Sequence, residues 1–141
     1  MKTRSDAVGS WLFFAWATAV LATLGSLYLS EVVHFVPCSL CWFQRIFMYP
    51  LTIVLGIASA KKQAEIVSYV LPLVAIGGAF SAYHIWIQER PRDTGGPFCG
   101  PTSCVTDVLN AFGFLTVPML ALTAFLMIGF CSVMAVKAAR R

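Results

Sequence analysis

Four long apolar runs constrain this chain more than any other feature of its sequence. They lie at about residues 11–30, 42–60, 66–87 and 113–136, and each has about 19 to 24 residues. At a rise of about 1.5 Å per residue, a helix of this length crosses the roughly 30 Å hydrocarbon core of a bilayer. Every backbone N–H and C=O in lipid needs an internal partner, so helices are the natural spanning form. The pattern predicts an all-α membrane protein, an antiparallel bundle of four transmembrane helices.

Composition agrees with lipid as the main solvent. Of the 141 residues, 59% are hydrophobic and 11% are charged, and the mean hydropathy is +0.80. A soluble domain of this size would have roughly a quarter of its residues charged. The basic residues lie at the ends of the apolar runs and form no stripe, which argues against a nucleic-acid partner. We expect one integral membrane domain over residues 1–141.

The distribution of charged residues predicts the orientation of the bundle. Four spans place both termini and the middle loop on one side, where seven basic and two acidic residues give a net charge of +5. The opposite side has two basic and four acidic residues, a net charge of −2. Basic residues in short loops favour the cytoplasmic side, so both termini are expected in the cytoplasm. The outer loops, at about residues 31–41 and 88–112, would then lie outside a bacterial cytoplasmic membrane.

Two cysteine pairs lie on this expected outer side. Cys38 and Cys41 form a Cys-x-x-Cys at the start of the second span, and Cys99 and Cys104 lie five residues apart in the long second loop. A helix N-terminus lowers the pKa of a nearby thiol because its dipole stabilises a thiolate. A Cys99–Cys104 disulfide would close a short loop and constrain the unfolded chain little, which favours exchange over a structural role. Two dithiols facing one oxidising compartment indicate a relay for electron pairs.

Arg45 and His84 are the polar residues that could contact an electron acceptor. Arg45 follows Cys41 by four residues and shares its helical face, and an arginine inside a span is costly. It either extends to the head groups, or stabilises a Cys41 thiolate or polarises the carbonyl of an acceptor. His84, near the outer end of the third span, is either an interface residue or a second donor to that acceptor. His34 is expected to be solvated, and Cys131 to be a small buried hydrophobe.

Zinc is the alternative chemistry for the four outer cysteines. Tetrahedral Cys₄ sites do combine two such pairs. Zinc would, however, lock the irregular second loop, and an oxidising exterior converts thiols to disulfides. We therefore expect no metal cofactor.

A resemblance to a known family begins at residues 37–45, with the sequence Pro-Cys-Ser-Leu-Cys-Trp-Phe-Gln-Arg. This run is similar to the signature of the DsbB family of membrane thiol–quinone oxidoreductases, especially its compact BdbC branch. The similarity extends to Tyr-His at 83–84, to the second cysteine pair and to Thr-Val-Pro at 116–118. The second pair departs from better-studied members, whose cysteines are spaced more widely.

The resemblance implies an enzyme that supports disulfide formation in exported proteins. A secreted thioredoxin-fold oxidase, reduced by its client proteins, would attack the Cys99–Cys104 disulfide and form a mixed disulfide at Cys99. Cys104 would then attack Cys38 and release Cys41 as a thiolate. The electrons would pass from Cys41 to a membrane quinone, menaquinone or ubiquinone.

The same resemblance implies that Arg45 binds the quinone, with His84 as a second contact. Two other functions stay open at this point. One is a small membrane carrier or assembly factor with structural disulfides, although a carrier needs polar groups near the bilayer midplane and these spans offer few. The other is a quinone reductase running in the direction of vitamin K reductase, whose Cys-x-x-Cys ordinarily lies in a later helix.

The charge distribution generates a prediction about orientation. A membrane-impermeant thiol reagent, applied to intact cells after reduction, should label cysteines of the outer loops and miss Cys131. Labelling of Cys99 only in inverted vesicles would reverse the orientation.

Overall fold

Four long helices make up the regular structure of the chain in the computed structural model, which describes residues 2–34, 37–89 and 116–141. They are α1 (Lys2–Glu31), α2 (Ser39–Lys61), α3 (Val67–Gln88) and α4 (Val117–Arg140), with a short 3₁₀ turn at Ala64–Ile66 before α3. All four are long and apolar enough to cross a membrane. The prediction of an all-helical protein with four such helices is confirmed.

The helices pack as a four-membered bundle. The main contacts join α1 with α2, α2 with α3, α3 with α4, and α4 with α1. A connection of a few residues separates α2 from α3, as is usual for antiparallel neighbours in a bundle. Each helix therefore has two helical neighbours and one face that is available to lipid.

Apolar residues occupy both the inside and the outside of the bundle. All four helices contribute to one buried cluster, with members such as Ala15, Ala19, Leu51, Leu55, Val70, Val74, Phe125 and Ile128. Large hydrophobic side chains are also exposed on the outer faces, among them Phe14, Leu21, Ile53, Tyr69, Leu126 and Phe130. A helix that is hydrophobic all round is typical of a membrane span. The surface thus fits a lipid environment.

The helices differ in extent from the apolar runs of the sequence. Helix α1 begins at Lys2, ahead of the apolar run at 11–30, because polar residues continue the helix beyond the apolar segment. Helix α2 begins at Ser39, so Cys41 and Trp42 lie in its first turn. In α4, Pro118 lies in the first turn, where its missing N–H costs no helical hydrogen bond.

The two ends of the bundle carry different groups. At one end, Lys62 Nζ lies 2.7 Å from Asp6 Oδ1, an exposed ion pair between the α2–α3 connection and α1. Such surface pairs contribute at most about 1 kcal/mol. Cys38 precedes α2 at the opposite end, which 23 helical residues place roughly 34 Å away. The dithiol is therefore far from the more basic end.

Helices α3 and α4 approach closely at Gly77. A Cβ atom at this position would lie 2.5 Å from Cε1 of Phe125, whose side chain is 1% exposed. At the adjacent Gly78, the nearest atom to an added Cβ is Phe125 Cβ, at an ordinary contact distance of 3.8 Å. The absence of a side chain at Gly77 thus permits the close packing of Phe125.

We expect Gly77→Ala to destabilise the bundle by about 1–3 kcal/mol, because the added methyl group overpacks a buried ring. Gly78→Ala is the matched control, since both substitutions gain the same helix propensity. Unfolding of the purified variants in mixed detergent, followed by circular dichroism, measures the difference. Equal stability of the two variants would contradict the close α3–α4 contact.

Candidate active site

The first turn of α2 positions the Cys-x-x-Cys pair. Cys38 has extended backbone angles (φ −71°, ψ 170°) at the N-cap, and its carbonyl accepts a 3.1 Å hydrogen bond from the Trp42 N–H. Cys41 lies three residues further on, so its thiol turns back to the thiol of Cys38. No disulfide joins the two residues in this structure, and their Sγ atoms are 3.2 Å apart. A small movement brings these atoms to the roughly 2.05 Å of a disulfide bond.

Burial distinguishes this pair from a surface dithiol. Cys38 is 3% exposed, and Cys41 is also buried. They pack with Leu40 of α2 and Ile87 of α3. A bulky labelling reagent should therefore reach them poorly, although the sequence places them at the end of an outer loop.

His84 of α3 lies against Cys38. Its Nε2 atom is 3.7 Å from Cys38 Sγ, and its side chain is 2% exposed. From sequence we expected His84 to contact an acceptor or the membrane interface. The structure instead places this ring nitrogen next to the first thiol of the pair.

Gln44 is a polar residue of this site to which the sequence reasoning assigned no role. It is buried, and its Nε2 lies 3.4 Å from Nδ1 of His84. Gln44 follows Cys41 by three residues and so shares its helical face. That spacing was the available signal, because a glutamine on the face of a reactive cysteine near a histidine is a candidate partner for the ring.

Aromatic packing aligns the end of α3 with the start of α2. The rings of Phe43 and Phe80 stack with centroids 5.1 Å apart and planes inclined by 6°. Phe43 precedes Gln44, and Phe80 lies one turn before His84. The stacked pair thus sets the relative position of the helices that lets His84 reach both Gln44 and Cys38.

Hydrogen bonding makes Cys38 acidic. The hydrogen bond between the Cys38 and Cys41 sulfur atoms lowers the pKa of Cys38 far below its usual value. Burial acts in the opposite direction, while His84 and the backbone N–H of Cys41 lower the pKa further. The lowered pKa favours the thiolate of Cys38, the form that takes part in exchange reactions.

Arg45 joins α2 to the end of α1. Its Nη2 donates a 3.0 Å hydrogen bond to the Ser26 carbonyl and a second bond to Ser30 Oγ. The guanidinium carbon lies 5.6 Å from the centroid of the Trp42 ring. Guanidinium has five N–H donors, so these contacts fix its position without using all of them.

A cavity of about 670 Å³ lies between α1, α2 and α4. Cys41, Gln44 and Arg45 contribute to its lining, and most of the remaining wall is apolar, with residues such as Leu21, Met48 and Leu120. This volume falls within the roughly 300–1,000 Å³ of small-molecule sites. Cys38 and His84 are not among the described residues that line it. The structure thus brings Cys41 and Arg45 to one cavity and places His84 on the other side of the dithiol.

The remaining residues expected from sequence fall outside this cluster. Cys99 and Cys104 lie in the segment 90–115, outside the described residues. Cys131 is buried in the apolar core on α4, and His34 is exposed, as expected. Cys38, Cys41 and His84 are the described residues whose metal-binding atoms cluster, all within 4.8 Å of one another.

The family model and the similar proteins both point to disulfide bond formation proteins. Residues 9–139 match the family described as "Disulfide bond formation protein DsbB". "Probable disulfide formation protein C 1" of Bacillus anthracis is 49% identical over 127 residues, covering 89% of this chain and 91% of that protein. "Disulfide bond formation protein C" of Bacillus subtilis is 45% identical over 118 residues, covering 83% and 86%.

Similar proteins are not confined to Bacillus. "Probable disulfide formation protein" of Coxiella burnetii is 48% identical over 126 residues, which cover 88% of this chain and 86% of that protein. No solved structure matches the chain. The match over most of the sequence, together with the buried Cys-x-x-Cys at the start of α2, shows that this chain belongs to the DsbB family of disulfide bond formation proteins.

Proposed function

We propose that this protein is a thiol:quinone oxidoreductase of the bacterial cytoplasmic membrane, which reoxidises a secreted thioredoxin-fold disulfide oxidase. The observation that carries the proposal is the buried Cys38–Cys41 dithiol, whose second thiol lines an apolar cavity next to Arg45. The family membership supports a disulfide-generating activity. The charge distribution supports cytoplasmic termini, with the cysteine pairs on the outer face.

The cavity fits a membrane quinone. Its wall is mostly apolar, which suits a quinone ring and the first isoprenoid units of the tail. Arg45 and Gln44 are the polar groups next to Cys41 that would hold a quinone carbonyl by hydrogen bonds. A bound quinone supplies an acceptor for two electrons and two protons. The residues present therefore match both the shape and the chemistry of this acceptor.

The two thiols have separate roles in the proposed relay. A thiolate arriving from Cys104 attacks the Cys38 sulfur, the Cys38–Cys41 bond breaks, and Cys41 leaves as a thiolate. Attack at Cys38 is the productive choice because the released Cys41 lines the cavity, where an acceptor would bind. The positive charge of Arg45 at the same cavity favours an anionic sulfur there.

His84 acts on the other thiol. Nε2 of His84 faces Cys38 Sγ, so its N–H can donate a hydrogen bond to the thiolate that exchange releases at Cys38. Gln44 contacts Nδ1 and holds the ring in this orientation. A bound quinone would accept the two electrons and two protons that oxidation of the dithiol to the disulfide releases. The contact between His84 and the acceptor stays a prediction, and the proposed role at Cys38 is separate from it.

Arg45 provides a test of the acceptor site. We expect Arg45→Ala to raise the apparent Michaelis constant for quinone much more than Arg45→Lys, because lysine retains the charge but lacks the planar set of donors. Steady-state quinone reduction at varied quinone concentration measures both variants. Trp42→Phe, which changes the ring stacked near Arg45 but not the cation, is the control. An unchanged quinone dependence in Arg45→Ala would remove Arg45 from the acceptor site.

The relay itself is tested with the purified protein, a reduced thioredoxin-fold oxidase and quinone. We expect Cys104→Ser to accumulate a covalent complex with the oxidase through Cys99, because the resolving thiol is missing. Cys38→Ser should still accept attack in the second loop but fail to reduce quinone. Cys131→Ser, which removes a core thiol, should retain activity.

Non-reducing gels and quinone absorbance decide between the alternatives. A complex trapped through Cys104 would exchange the roles of Cys99 and Cys104, and one trapped through Cys38 would refute the relay order. Oxidation of added quinol, with reduction of a disulfide substrate, would instead indicate an enzyme running in the reductase direction.

A further inference from the structure

The ligand atoms around Cys38 have nearly the separations of a tetrahedral metal site. Cys38 Sγ is 3.2 Å from Cys41 Sγ and 3.7 Å from His84 Nε2. With Zn–S bonds of about 2.3 Å and Zn–N bonds of about 2.0–2.1 Å, tetrahedral geometry needs an S–S separation of about 3.8 Å and an S–N separation of about 3.6 Å. His84 Nε2 thus already lies at the required distance from Cys38 Sγ, all three ligand atoms lie within 4.8 Å of one another, and the two sulfur atoms need to separate by roughly half an ångström.

Gln44 supplies the outer contact that metal-binding histidines usually have. A histidine that ligates through Nε2 donates its Nδ1–H to an oxygen, which fixes the ring and its tautomer. Gln44 lies against Nδ1 of His84, and rotation of its amide group presents Oε1 to that N–H. Gln44 and the three ligand residues are all buried.

Charge balance selects the cation. Two thiolates and a neutral imidazole carry a total charge of −2, so a divalent ion gives a neutral complex in a buried site. A monovalent copper ion would leave an uncompensated negative charge there. Calcium and magnesium prefer oxygen ligands, whereas zinc binds sulfur and nitrogen.

We propose that the reduced Cys38–Cys41 pair and His84 form a Cys₂His site that binds Zn²⁺. Three protein ligands leave a fourth position for water. Cys41 lines the cavity between α1, α2 and α4, which gives the ion a route to the buried sulfur atoms. The site exists only in the dithiol state, because a disulfide has no thiolate to offer. Bound Zn²⁺ holds both sulfur atoms as ligands and thereby keeps the pair reduced, so it acts as an inhibitor and not as a resident cofactor.

The site is tested by binding of Co²⁺, a spectroscopic substitute for Zn²⁺, to the full-length protein in detergent. Cys99→Ser/Cys104→Ser/Cys131→Ser leaves only the proposed cysteine ligands. After reduction without thiol reagents, we expect one Co²⁺ per chain, with thiolate-to-cobalt charge-transfer absorption that Zn²⁺ abolishes by displacement. Oxidation of the Cys38–Cys41 pair in the same protein should remove the signal, and renewed reduction should restore it.

Substitutions then assign the nitrogen ligand and its partner. In the same background, we expect His84→Ala to weaken Co²⁺ binding by more than ~10-fold and Gln44→Leu by ~10-fold. His34→Asn removes the other histidine of the chain and should leave the affinity unchanged. The redox dependence needs no substitution at the ligands, so it does not depend on the folding of these variants. Absence of the charge-transfer band in the reduced protein, its persistence after oxidation, or equal affinity in His84→Ala would overturn the proposal.

Discussion

Backbone hydrogen bonding in lipid is the constraint on which the rest of this structure depends. With no water to satisfy peptide groups in the hydrocarbon core, the four apolar segments form helices, and their interiors offer few positions for polar chemistry. Reactive groups then collect where helices begin and end. The start of α2 provides a helix N-terminus for Cys38 and Cys41, and the adjacent end of α3 brings His84 against them. The site follows from the pairing of these two helix ends.

Because the dithiol lies between two helix ends and a cavity, its two sulfur atoms have different surroundings. Cys38 faces the buried pair His84–Gln44, whereas Cys41 lines an apolar cavity with Arg45. An imidazole on one side and a guanidinium on the other give the two sulfur atoms of one dithiol different electrostatic environments. The carbonyl of Ser26 helps to hold Arg45 at this position, because a cation within a membrane span needs fixed polar partners.

Much of this arrangement could be predicted from the sequence. The length of the apolar runs identified the helices. The four-residue spacing predicted that Cys41 and Arg45 share one helical face, and both line the same cavity. The contact between His84 and Cys38 could not be predicted in this way. It depends on how far α3 is shifted along α2, and the stacking of Phe43 on Phe80 sets that shift. Spacing within one helix carries no information about it; such spacing places Gln44 on the face of Cys41 but does not show that its partner is His84 of α3.

The proposed oxidation and the proposed zinc binding compete for the same sulfur electrons. Both require Cys38 and Cys41 as thiolates, and the groups that favour a thiolate for exchange also favour it as a ligand. Under the zinc proposal, the dithiol beside His84 can bind the ion for as long as it stays reduced. Under the proposed function, transfer of electrons to a quinone in the cavity would shorten the time spent in the reduced state. An acceptor bound in the cavity next to Cys41 would then have two effects: it would complete the reaction, and it would protect the dithiol from zinc.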